Sequence, residues 1–244
     1  MAGKLGKAKA EFDTRDFPMK ALLKTVVIPI AYDFDVAHPG LSYFMYANDQ
    51  YGCCVISGRA HQTLRFEILE QNKLLSITDR EVVEQYLKET GGVDSGLVVS
   101  RSIRNWRQRG WLVGGTRYYA RAYARVNHLN LADVRAAIYA DVGVGVGLDL
   151  PYSALQQFDK KQVWDVVPQD GGSAGGHYVY LPAYHEDGGF TCVTWGRRQR
   201  MTRKFFMTYA DECWAVWDKA NIMSAKTNAI MDIVKAEAML AKTV

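Results

Sequence analysis

Apolar residues recur along this chain at helical spacing in some stretches and as alternating or solid runs in others. From Cys54 to Glu70, the positions Val55, Ala60, Leu64, Ile68 and Leu69 give the buried face of a central helix. Thr78-Asp79-Arg80-Glu81 reads as a capping box opening a second helix, to about Glu89, which Gly91-Gly92 closes. A third runs from Val98 to Arg109, with Val99, Ile103 and Trp106 on one face and Gly110 at its end. Asn130 to Tyr139 is a fourth. Lys204 to Lys219 predicts an aromatic helix in which Tyr209, Trp214 and Trp217 pack. A last apolar stripe through Ile222, Ala229, Ile230, Ile233, Val234 and Ala238 predicts a helix over 220–244 that packs on this chain or on a partner.

The strand patterns are fewer. Thr25 to Tyr32 is β-branched and extended, with Pro29 confining it to an edge or an irregular strand. Val142 to Leu150 alternates glycine with bulky residues and has no Lys-Ser/Thr behind it. A strand whose glycine face lies against a large neighbour fits better than a phosphate loop. Gly175 to Leu181 and Phe190 to Gly196 complete the set, and Thr116 to Val126 fits either a helix or a ribbon. Pro151 to Gly176 is a long polar connection suited to the wall or lid of a cleft, with Trp164 as its anchor.

One stretch stands at the junction of turn and helix: Asn48-Asp49-Gln50-Tyr51-Gly52-Cys53-Cys54-Val55. A thiol on the first turn of a helix meets unpaired N–H groups and the positive end of the helix dipole, which favour thiolate. Asn48 is an amide that can fold back beside the sulfur as an oxyanion donor. A base for that thiol is available in Gly175-Gly176-His177-Tyr178, followed by Thr194-Trp195-Gly196.

Taken together these motifs resemble the papain-like cysteine peptidases. That family has a Gln, a Gly and then the Cys opening a helix, a Gly-His strand far downstream and an Asn-Ser-Trp-Gly strand after it. The resemblance places the nucleophile at Cys54, the oxyanion amide at Asn48, the base at His177 and the Trp-Gly at Trp195-Gly196. Gly52, Gly176 and Trp195 become substrate-binding positions. The 123 residues between Cys54 and His177 fall slightly below the roughly 130–150 of the family. Two positions depart from its pattern. Asn48 is one methylene shorter than Gln, and the orienting Asn falls on Val193, which cannot hold an imidazole; Asp187 is the nearest carboxylate that could replace it. Cys53 is a second candidate thiol, but the register with Gly52 and Asn48 favours Cys54.

The resemblance implies an α+β fold. An N-terminal helical lobe with a central Cys-bearing helix packs on an antiparallel β lobe, with an extra C-terminal helix. Residues 1–22 would be a flexible basic arm, 23–219 the papain-like domain and 220–244 the added helix. It also implies acyl transfer on peptide or amide bonds with no cofactor, and a sulfur within about 4 Å of a His177 ring nitrogen. The segments Asn-Asp-x-Tyr-Gly-x-Cys-Val and Val-Thr-Trp-Gly also resemble bacteriophage proteins. The rival reading is therefore a non-catalytic virion structural or attachment protein on the same fold.

Composition narrows this only a little. At 244 residues, 48% hydrophobic and 23% charged, the chain can bury a large core. No apolar run reaches a membrane span, and the N-terminus does not read as a signal peptide. Four cysteines without framework spacing suit a reducing compartment, the cytoplasm, or the inside of a phage particle. The net charge is +4, but no acidic residue lies between Asp94 and Asp133, where seven arginines stand from Arg101 to Arg125. Arg197, Arg198, Arg200, Arg203 and Lys204 form a second cluster. Both fit a solvated face or a weak nucleic-acid or acidic-protein contact. A metal site from His177, His185 and Asp187 is disfavoured, because strand alternation points them apart. His38 and His61 read as a turn residue and as a helix residue about 10 Å from the thiol.

Overall fold

The structure is a computed structural model that describes every residue except Arg15, Val26, Asn72, Lys73, Asp141, Val142, 220–223 and 242–244. In chain order its first half holds β1 (Tyr32–Asp33), α1 (Phe34–Ala37), α2 (Cys54–Gln71), α3 (Asp79–Thr90), α4 (Val99–Arg109), β2 (Trp111–Val113), β3 (Thr116–Tyr118), β4 (Ala122–Arg125) and α5 (Leu131–Ala140). The second half holds β5 (Val144–Pro151), α6 (Tyr152–Asp159), β6 (Ser173–Tyr184), β7 (Phe190–Thr194), β8 (Arg197–Met201), α7 (Arg203–Tyr209), β9 (Ala210–Trp217), α8 (Ala225–Ile230) and α9 (Ile233–Ala241).

The long strands form one antiparallel sheet in the order β4-β9-β5-β6-β7-β8, with β1 added to β6 and β2-β3 a separate hairpin. Helices and antiparallel sheet are segregated, which is the α+β class expected from the sequence. The capping box opens α3 as predicted, with Thr78 and Glu81 exchanging hydrogen bonds, and Gly91 closes it in the left-handed region. Helix α2 crosses the sheet beside β6 and β7, and its residues 54–68 are all buried. Its apolar stripe accounts for only one of its enclosed faces. The others carry polar residues, each provided with a partner inside the core. Arg65 makes a bidentate pair with Asp35 at 2.8 and 2.7 Å, Arg59 binds Glu89 at 2.8 Å, and Gln62 donates to the carbonyl of Val216.

Strand β5 shows why glycine alternates there. A Cβ on Gly145 would overlap the ring of Tyr178 on the neighbouring strand, and a Cβ on Gly58 of α2 would meet the same ring at 2.6 Å. The Tyr178 ring is thus wedged between the central helix and the sheet.

Four expectations change. The stretch 204–219 is not one helix. Helix α7 stops at Tyr209, and Ala210 to Trp217 runs as β9 between β4 and β5. Pairing on both edges overrides a sequence with little β-branching. Thr25 to Tyr32 contributes only Tyr32 to a strand, with Val27 and Ile30 exposed. The C-terminal stripe forms two short helices broken at Met231, with Ile222 outside the described residues. They pack on this chain: Lys24 donates to Ile230, Asp232 to Leu22 and Thr227 to Ala140. Finally, the first residues are not a loose arm. Residues 4–8 are hydrogen-bonded into the body of the protein, and Phe17, Met19 and Leu22 join the core.

Most of the arginines are also engaged. Arg101 pairs with Glu11, Arg104 with Asp16, Arg198 with Asp33 and Arg200 with Asp187, so acids distant in sequence supply what the local stretches lack.

Candidate active site

Helix α2 begins at Cys54, and the carbonyl of Cys53 accepts from the N–H groups of Ile56 and Ser57. This puts the two adjacent thiols on different sides of the helix start. Cys53 Sγ turns into the core, donating to the Tyr46 carbonyl at 3.4 Å and lying 3.6 Å from Ser57 Oγ. Cys54 turns toward β6, where backbone groups of Tyr178, Gly6 and Val55 and the charge of Lys7 all act to lower its pKa. Burial outweighs them and pushes the Cys54 thiol up to about 11. A rise of that size opposes ionisation by ~3 kcal/mol, against ~0.3–1 kcal/mol that a helix dipole returns. The thiol is neutral in this arrangement.

His177 lies on β6 opposite Leu148, one residue before the Tyr178 backbone that faces the thiol. Its ring stacks on Trp195 at 4.2 Å, and its Nε2 is 2.7 Å from Thr194 Oγ1. Nδ1 has no hydrogen-bond partner, and burial pushes the ring's pKa down to about 3. Among the described residues no hydrogen bond joins the His177 ring to the Cys54 sulfur. The two segments adjoin, but the imidazole and the thiol are each neutral and unlinked. Thr194, and not Val193 where the family's orienting Asn would fall, is the side chain hydrogen-bonded to the His177 ring. Tyr180 pairs with Val193, so Val193 shares a sheet face with Tyr180, whereas Thr194 shares one with Val179 and His177. Strand parity was the signal that could have found Thr194.

Asn48 follows two residues held in the left-handed region, Tyr46 and Ala47, at φ 54° and 55°. Such backbone is uncommon for residues with a Cβ and fixes where Asn48 points. Its Nδ2 donates to the carbonyls of Lys4 at 3.1 Å and Tyr51 at 3.0 Å. Trp195 is likewise held at φ 45°, with its indole N–H unpartnered. Gly52 is fastened by its N–H to Asp94 Oδ1 at 2.9 Å, and Asp94 also accepts from Tyr86.

What lies between these residues is the chain's own N-terminal segment, an extended strap over residues 3–8. Gly3 abuts Trp195, and Lys4 N–H donates to the Asn48 carbonyl at 2.6 Å. The N–H groups of Gly6 and Lys7 donate to the Gly176 carbonyl at 3.2 and 3.0 Å. On the other wall Leu97 N–H donates to Gly6 at 2.8 Å, and Ala8 N–H donates to Leu97 at 2.9 Å. Gly6 passes so close to Gly52 that a Cβ on it would overlap the Gly52 carbonyl. The positions expected to bind substrate, Gly52, Gly176 and Trp195, are therefore in contact with the strap.

Three of the other four histidines are engaged elsewhere. His185 Nε2 is 2.8 Å from Thr191 Oγ1, His61 Nε2 meets the Phe44 carbonyl and His38 stacks on Phe34. Asp187 is taken by Arg200, and the hydrogen-bond partner of the His177 ring is Thr194.

No protein-family profile matches this sequence, and no curated protein is detectably similar to it. Solved structures are similar in fold. Xylellain, a cysteine protease from Xylella fastidiosa, matches at TM-score 0.70 and 17% identity over 88% of this chain and 96% of that one. A procathepsin B from Trypanosoma congolense matches at 0.63 and 12% over 88% and 86%. The bromelain protease from Ananas comosus, in complex with the E64 inhibitor, matches at 0.57 and 15% over 79% and 100%. The chain has the papain-like fold, and its structural neighbours are cysteine proteases.

Proposed function

We propose that the protein is a papain-like cysteine hydrolase acting on peptide or amide bonds, held closed by its own residues 3–8. The observation that carries this reading is the strap itself. An extended backbone lies past Cys54 and hydrogen-bonds to both walls of the groove as a peptide ligand does. Its carbonyl at Lys4 already receives the amide of Asn48, the donor expected to hold an oxyanion.

With the strap displaced, water reaches the groove and the burial that keeps both groups neutral is relieved. Cys54 then attacks the substrate carbonyl as thiolate, with Asn48 Nδ2 and the Cys54 N–H as oxyanion donors. His177, oriented by Thr194, passes a proton to the leaving amine, and water hydrolyses the thioester. The specific observation on the side of a non-catalytic phage component is the resting chemistry, a thiol near 11 beside an imidazole near 3.

Gly6→Ala separates the readings, because the added Cβ cannot coexist with the Gly52 carbonyl. The variant is expected to react with E-64 or iodoacetamide at Cys54 at least tenfold faster than the parent chain and to hydrolyse a denatured protein substrate. Cys54→Ala in the same background should abolish both. Faster labelling with no hydrolysis of any peptide would establish the non-catalytic reading.

A further inference from the structure

Beside Gly6, the next strap residue sends a charged side chain inward. Lys7 is only 1% exposed along its side chain, and its Nζ lies 2.8 Å from Asp211 Oδ2 and 3.4 Å from Glu212 Oε1. The Ala8 carbonyl accepts a further bond from it at 3.2 Å. Glu212 is wholly buried at its side chain, its Oε2 accepting from the Trp214 indole at 2.7 Å. Its Oε1 has no hydrogen-bond partner and faces the lysine, and Asp211 Oδ1 is likewise unpartnered. The space for the lysine stem exists because residue 147 lacks a side chain. A Cβ on Gly147 would meet Glu212 Cγ at 2.6 Å and Lys7 Cδ at 2.7 Å.

A carboxylate on the floor of a groove, away from water, is costly unless a cation or several donors satisfy it. Glu212 has one donor in Trp214 and leaves its other oxygen to the lysine. When the strap leaves, the cation leaves with it. Whatever replaces the strap then meets two acidic groups on β9, one strap residue beyond the Gly6 backbone that lies against Cys54. We infer that Asp211, Glu212 and Gly147 form a recognition pocket for a basic side chain, the lysine or arginine of a peptide that replaces the strap. That side chain belongs to the residue that takes the place of Lys7, next to the one whose backbone lies against Cys54. Lys7 is the internal occupant, so closure and substrate selection compete for the same pair of carboxylates. A neutral side chain would leave Glu212 Oε1 unsatisfied in the wall, which gives the site discrimination as well as affinity.

The inference rests on the hydrolase reading for the bond that is cut, but the pocket can be tested without turnover. Lys7→Ala in the Gly6→Ala background removes both the strap backbone and its lysine from the groove. Acetyl-Gly-Lys-amide should then bind, by calorimetry at low salt, at least tenfold more tightly than acetyl-Gly-Leu-amide, and adding Glu212→Gln should erase the difference. Equal affinity for the two peptides, or binding of neither, overturns the pocket. Should Lys7→Ala not fold, Glu212→Gln in the otherwise intact chain serves. The strap then loses its buried partner, and iodoacetamide labelling of Cys54 should rise severalfold; an unchanged rate overturns the inference. Selective binding of the lysyl peptide with no cleavage by the Gly6→Ala protein would keep the pocket and remove the hydrolase. Cleavage mapped by mass spectrometry with no enrichment of lysine or arginine near the cut would do the reverse.

Discussion

His177 Nε2 and Thr194 Oγ1, from neighbouring strands, lie 2.7 Å apart while the other ring nitrogen is left without a partner. If Nε2 carries the proton and donates to the threonine, Nδ1 presents a lone pair for a thiol proton. In the strap-displaced Gly6→Ala protein, Thr194→Val is expected to lower kcat about tenfold to hundredfold, with KM little changed. Thr194→Ser should restore most of the loss, and the pH–rate profile should shift in the valine variant alone. Val193→Asn should gain nothing, because residue 193 faces the other side of the sheet. An enhancement there would show that the strand register is wrong.

The Asp35–Arg65 pair joins α1 to α2 with neither side chain exposed by more than 1%. Removing one member strands a buried charge, so Asp35→Ala or Arg65→Ala should each cost about 3–5 kcal/mol in urea unfolding. The double replacement by Leu and Met should cost less than the sum of the single changes. Additive losses would mean that the two groups do not depend on each other.

Acid should destabilise the protein in a defined window. His177 and His61 both have pKa values pushed down to about 3 by burial, from an ordinary value near 6.5. Between pH 6.5 and 3 the unfolded chain binds protons that the folded chain refuses, so stability falls as pH falls through that range. From pH 7 to pH 5 each ring should account for about 2 kcal/mol, at 1.36 kcal/mol per pH unit below 6.5. Denaturant titrations at the two pH values check this, and His61→Gln should roughly halve the slope. Stability that is flat over the window would mean that both rings accept protons in place.

The paired thiols should behave differently. Cys53 hydrogen-bonds toward Tyr46 and Ser57 inside the core, with its pKa pushed up to about 12 by burial. In the Gly6→Ala protein, alkylation is expected at Cys54 and not at Cys53, as read by peptide mass mapping. Cys53→Ala should leave the rate of hydrolysis within about twofold while lowering stability by ~1–2 kcal/mol. Loss of activity on that change would move the nucleophile by one residue.

Local signals carried much of the architecture. The helix opening at Cys54, the Thr78–Glu81 box and the glycine face of β5 each depend on neighbours within a few residues, and each stands as the sequence reads. What was illegible depends on partners far away in the chain. Strand β9 reads as part of a helix until β4 and β5 pair with its two edges. Thr194 needed the register of β6 against β7, which no spacing supplies. The strap was the hardest to see. Residues 3–8 have the composition of a loose tail, and only the groove that receives them, built from residues 48–52, 94–97 and 176, gives them a conformation.

The Tyr178 ring, wedged between Gly58 of the helix and Gly145 of the strand, works as a gauge block. Its thickness sets how far the start of α2 stands off β6, and therefore how far a sulfur on one stands from an imidazole on the other. A smaller residue at 178 would let the two supports close and a bulkier one would jack them apart. A change that touches neither reacting atom would thereby retune their separation.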